Sequence, residues 1–110
     1  MSVLFLPEIQ EYFYELETIL YEKGYFSFES ASIEYVDDLI LDIKKNLPTI
    51  RHKPAPKYYE QYGKELFYAT FKKNRRTQWY AFFSKYVDKD ETIFLVCYIG
   101  NNHTEAHHLE

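Results

Sequence analysis

Apolar positions recur along this chain with a helical period in its first half and in strand-like runs in its second. Val3-Leu4-Phe5-Leu6 is a short apolar run stopped by Pro7, which predicts a first strand. Pro7 also suits the first turn of a helix, where its missing N–H is not needed. Ile9, Phe13, Leu16 and Leu20 then recur at helical spacing, and Glu8, Glu11 and Glu15 crowd the end where the helix dipole stabilises negative charge. Gly24 ends this helix. Ile33, Val36, Ile40, Ile43 and Leu47 mark the stripe of a second helix, with Ser27, Ser30 and Ser32 as N-cap candidates. Asp37, Asp38 and Asp42 fall largely off that stripe, and Lys44 and Lys45 suit its last turn. Both helices are amphipathic and face one core.

Pro48, Pro54 and Pro56 make Leu47 to Pro56 a non-helical connection. Tyr58, Tyr59 and Tyr62 follow, with Gly63 as a turn. This basic, aromatic segment could contact single-stranded nucleic acid, but packing against the sheet is the preferred reading. Leu66 to Lys72 and Thr77 to Tyr86 read as two strands joined through Lys73-Asn74-Arg75-Arg76, a hairpin length with Asn74 available for a left-handed position. Val87 to Glu91 is a second polar turn. Thr92 to Ile99 is apolar throughout, which marks a central strand covered on both faces, and Gly100 breaks it. The order predicts an α+β fold: a small antiparallel sheet, made of a meander of three C-terminal strands plus the N-terminal strand, packed against two N-terminal helices. Leu109-Glu110 reads as a cloning remnant, leaving residues 1–108 as a single domain.

Composition sharpens this picture. With 110 residues the chain suits one domain, and its 20% aromatic content, from 12 Tyr and 9 Phe as well as one Trp, fits a sheet with a heavy aromatic face. The single cysteine, Cys97, allows no internal disulfide and is expected as a small core residue. No apolar run reaches membrane-spanning length, and the first ten residues lack the basic flank and cleavage site of a signal peptide, so no membrane association and a cytoplasmic location are expected. The net charge of -4 hides an asymmetry. Residues 1–50 carry ten acids against three bases, whereas residues 51–110 carry ten bases against seven acids. Eight of those bases lie between Arg51 and Arg76, which points to an anionic partner for one face.

The chemistry available is that of phosphate handling. RNA cleavage needs cations around the scissile phosphate, a base for the 2′-hydroxyl and an acid for the leaving oxygen. Lys72, Lys73, Arg75 and Arg76 can supply the cations, with no more than half on one sheet face. His103 is the acid/base candidate, because an imidazole titrates near neutrality. Tyr98, Asn101 and Asn102 stand near it as hydrogen-bond donors, and His107 and His108 are weaker candidates toward the chain end. His103 and His107 have helical metal-pair spacing but no third ligand, so no metal is expected. There is no P-loop, dinucleotide fingerprint or nucleophile elbow, and no cofactor is expected.

KKNRRTQWYAFF, followed after a turn by TIFLVCYIGNNH, resembles the second half of RelE/ParE-superfamily toxins, the RelE-like and HigB-like members of bacterial toxin–antitoxin pairs. The resemblance covers Val3 to about His107 in element order, but recognisable residues lie only between Tyr68 and His103. It implies a toxin that cleaves mRNA in the ribosomal A site without a metal, with an antitoxin protein, the ribosome and mRNA as partners. Carried over, the family's basic positions fall on Lys72, Lys73, Arg75 and Arg76 and its C-terminal acid/base position on His103. Together with the reading of the residues this gives His103, Arg75 and Arg76 as expected catalytic residues and Lys72, Lys73, Trp79, Asn101 and Asn102 as expected RNA-binding residues. Many members have an arginine directly before the aromatic of the third strand. Here Gln78 precedes Trp79, and Arg76 lies two residues earlier, on the same strand face and able to substitute if the strand extends that far. A non-catalytic protein-binding module on the same fold is the alternative, and a homodimer formed through the tyrosine-rich surface is a further option.

Overall fold

In the computed structural model, which describes residues 1–109, the first apolar run forms β1 (Ser2–Phe5) and Pro7 opens α1 (Pro7–Glu22). Leu6 joins the two: its N–H donates to the Val96 carbonyl, and its own carbonyl accepts from the N–H groups of Ile9 and Gln10. Chain reversal around Gly24 then leads to α2 (Glu29–Asn46). The buried face of α2 is Ser32, Val36, Leu39 and Ile43, continued by Leu47. The expected stripe is therefore turned slightly: Ile33 is exposed, and Ser32 takes the inner place because its hydroxyl donates to the Glu17 carbonyl of α1. None of the candidate serines caps the helix, since Phe28 occupies the N-cap without a side-chain hydrogen bond. Val36, Leu39, Ile43 and Leu47 are fully buried, each worth about 1.5–3 kcal/mol relative to an exposed side chain.

The second half builds the sheet. A two-residue strand, β2 (Lys53–Pro54), and a 3₁₀ turn over Lys57–Gln61 precede β3 (Phe67–Lys72), β4 (Gln78–Asp88) and β5 (Glu91–Asn101). The order across the sheet is β1-β5-β4-β3-β2. The three long strands form the antiparallel meander, β2 extends it antiparallel, and β1 pairs parallel with β5, so the whole sheet is mixed. The β4–β5 turn is tighter than the sequence suggests. Val87 and Asp88 stay in the strand, and only Lys89 and Asp90, both with positive φ, make the reversal.

Two cores lie on opposite faces of the sheet. Ala69, Phe71, Trp79, Ala81, Phe83, Phe94, Val96 and Ile99 meet α1 and α2. On the other face, Tyr59 stacks on Phe82 at 4.0 Å between ring centroids, and Tyr62 stacks on Tyr98 at 3.9 Å. The tyrosine-rich segment thus packs on the sheet through Tyr59 and Tyr62. A one-residue shift opposite Phe82 and Phe83 leaves Cys97 unpaired at a bulge, half-buried, and burial raises its thiol pKa. The chain does not stop at Gly100: β5 runs on to Asn101, and α3 (Asn102–Leu109) follows and packs on this second face. Leu109, expected as a remnant, is half-buried there; Glu110 lies outside the described residues. No described helix is long and apolar enough to cross a membrane.

Candidate functional site: a cationic hairpin beside His103

The turn between β3 and β4 is tied by a single asparagine. Asn74 Oδ1 accepts from the N–H groups of Arg76 (2.8 Å) and Thr77 (2.9 Å), while the N–H groups of Lys73 and Asn74 donate to the Thr77 carbonyl. An asparagine side chain closing its own turn in this way leaves the long side chains on either side free to project. Lys72, Arg75 and Arg76 are exposed, and among the described residues the only ion pair joins the Met1 amino group to Glu91. These cations therefore face solvent without a carboxylate partner, which favours binding an external anion.

The second part of the site comes from the β5–α3 junction. Asn101 Oδ1 accepts from the N–H of His103 (2.9 Å) and Thr104 (3.3 Å), capping α3. Asn102 reaches across to the hairpin: its Oδ1 accepts from the Gln78 N–H (2.9 Å) and its Nδ2 donates to the Arg76 carbonyl (3.0 Å). With both junction residues fixed, His103 Nε2 lies 3.4 Å from Thr77 Oγ1, and its ring is exposed. His103, Arg75, Arg76 and Lys72 are thus brought to one end of the molecule, with Asn101 and Asn102 serving the local architecture.

Two expected site residues are placed differently. Trp79 is only 2% exposed, packs in the helix-side core, and donates from Nε1 to the Tyr35 hydroxyl at 2.9 Å. A ring held there has no face for a nucleic-acid base, so its RNA-binding assignment is corrected to a core role. Lys73 turns to the same side, with Nζ 5.1 Å from the centre of the Tyr35 ring, away from Lys72. Arg76 does not extend the strand face either: β4 begins at Gln78, and Arg76 stays in the turn. His107 is exposed on α3, while His108 stacks on Tyr58 at 3.5 Å.

A groove of about 500 Å³ leads from this end across the second sheet face. Tyr68 and Thr70 of β3 and Gln78 and Tyr80 of β4 line it, with Arg51 and Lys53 on one side and Leu109 of α3 on the other. Cations beside tyrosine rings are what a single-stranded nucleic acid uses, phosphate on the former and base stacking on the latter. Arg51 and Lys53 belong to the basic run visible in the sequence. Tyr68 and Tyr80 carried no signal beyond strand alternation, because which face a residue takes depends on the register of its strand. Comparison of the chain with family models, curated proteins and solved structures finds no match.

Proposed function

We propose that this protein is the toxin of a toxin–antitoxin pair, a ribosome-dependent mRNA endoribonuclease that works without a metal. The observation that carries the reading is the position of His103 against Thr77 at the base of the cationic hairpin, 26 residues away in the chain. RNA bound with its scissile phosphate at Arg75 and Arg76 would have an imidazole within reach. In the proposed reaction a base removes the 2′-hydroxyl proton, the 2′-oxygen attacks phosphorus, and an acid protonates the departing 5′-oxygen. His103 takes one of these proton-transfer roles. Arg75 and Arg76 offset the charge that builds on the phosphorane oxygens. The groove past Gln78 and Tyr80 would take the neighbouring nucleotides, and an antitoxin would hold the toxin in check.

The test is cleavage of mRNA on programmed ribosomes by purified wild type, His103→Ala and Arg76→Ala. Loss of a positioned acid or base is expected to slow cleavage about 10²–10⁴-fold. Equal rates in all three proteins, or no cleavage by any of them, would sink the reading.

A second reading, a non-catalytic protein-binding module, is favoured by the helical exterior. Tyr25 and Phe28 of the α1–α2 connection and Leu41 of α2 are largely exposed beside the acidic residues of the two helices. Intact A-site mRNA together with stable capture of a partner by this surface supports it.

A further inference from the structure

His103 stands in the first turn of a short helix, tied at its start by Asn101 and Asn102. α3 has eight residues, too few to be stable alone, so its place depends on tertiary anchors. His103, Thr104, Ala106 and His107 are exposed; beyond the Asn102 tie at its start, the helix packs through half-buried Leu109 and the His108 ring on Tyr58. Glu105 is the exception. It is 4% exposed, with the Tyr59 hydroxyl donating to Oε1 at 3.0 Å and the Tyr98 hydroxyl donating to Oε2 at 3.1 Å.

The fit beneath this carboxylate is close. A Cβ on Gly100 would stand 2.5 Å from Glu105 Cγ, so the glycine leaves the space that the side chain fills. A carboxylate is costly to bury unless it is hydrogen-bonded, and the docked position supplies a phenol for each oxygen. Tyr59 and Tyr98 come from the 3₁₀ turn and from β5, so both donors belong to the sheet side. Burial chiefly raises both phenol pKa values, which keeps them protonated and donating.

We propose that Glu105 is a positioning residue: by accepting from Tyr59 and Tyr98 it latches α3 onto the second sheet face and so holds His103 against Thr77. Its effect on catalysis rests on the nuclease reading; its effect on the placement of His103 does not.

Two measurements on the full chain separate these. The first follows proton–proton contacts between the His103 ring and the Thr77 methyl by NMR, with circular dichroism as a check on the fold. In Glu105→Ala the contact should vanish and the α3 signals broaden while the core methyl signals hold. Tyr59→Phe combined with Tyr98→Phe should do the same without opening a cavity, and it serves if Glu105→Ala does not fold. Glu105→Gln should keep the contact, since its amide oxygen still accepts from one phenol and its N–H can donate to the other. The second measurement is mRNA cleavage on ribosomes, where Glu105→Ala should lose about a hundredfold in maximal rate with little change in half-saturating concentration. Persistence of the His103–Thr77 contact in both Glu105→Ala and the double phenylalanine variant overturns the latch. Loss of that contact where wild type itself leaves mRNA intact supports the latch and overturns the nuclease reading alone.

Discussion

Asn102 uses both ends of its amide to join the β5–α3 junction to the cationic hairpin, accepting from the Gln78 N–H at 2.9 Å and donating to the Arg76 carbonyl at 3.0 Å. This clamp fastens the backbone just before His103 to the turn that carries Arg76. Asn102→Ala leaves one backbone donor and one acceptor without their partner, at a cost of about 1–2 kcal/mol where water reaches only part of the gap. Urea denaturation should record that loss, and Asn102→Asp should recover only the half that accepts from Gln78.

Charge at the hairpin should be visible in the salt dependence of RNA binding. A single-stranded oligonucleotide loses affinity with salt at a slope of about 0.7 per phosphate neutralised. Arg75→Ala with Arg76→Ala is therefore expected to lower the slope by about 1.4. Lys73→Ala should change it less, because its ammonium lies over Tyr35 and away from Lys72. Fluorescence anisotropy over a range of salt concentrations measures both.

Trp79 is the only tryptophan and reports directly on its own placement. Buried beside Tyr35, it should emit at short wavelength in the folded protein and shift to the red on unfolding. Saturating RNA should leave that emission unchanged, and strong quenching by RNA would reverse the assignment of Trp79 to the core. Trp79→Ala should cost about 3–5 kcal/mol.

Gly100→Ala forces a methyl group into the space of Glu105 Cγ. The carboxylate cannot swing away without losing Tyr59 and Tyr98, so the expected cost is about 1–3 kcal/mol. Thermal unfolding gives the magnitude, and hydrogen exchange should localise the disturbance to α3.

Alkaline pH should weaken the fold through its tyrosines. Burial, and then the charge of Glu105, push Tyr12 from 10.0 to about 12, and Tyr59 and Tyr98 are raised as well. A phenol with a raised pKa binds its proton more tightly in the folded chain than in the unfolded one. Its contribution is fully present below about pH 10, the unfolded value, and is lost as pH rises through the folded value. Denaturation midpoints should fall above about pH 10, and Tyr98→Phe should make that fall shallower.

Several of these features could be read from the sequence and others could not. The two helices and the meander were legible because each residue's apolar or polar character repeats at the period of its element, and Asn74 marks its turn by local chemistry alone. Trp79 was not legible in the same way. The residues before it are basic and polar, yet alternation along β4 turns its ring toward α2, where Tyr35 supplies the hydrogen bond. Ile33 leaves the expected inner stripe for a related reason: a small rotation of α2 gives its place to Ser32, whose hydroxyl finds a carbonyl on α1. α3 leaves no mark in the sequence, because an eight-residue polar helix has almost no apolar stripe to announce it.

By itself, then, the sequence determined the α+β class, the order of the main elements, the acidic helices and the basic run from Arg51 to Arg76. Those are local properties of periodicity, turn chemistry and charge. Tertiary structure alone decided that β1 lies parallel to β5, that Lys72 and Lys73 part to opposite sides, that Glu105 finds two phenols, and that His103 comes to rest beside Thr77. Each depends on strand register and on contacts between residues far apart in the chain, which no local pattern encodes.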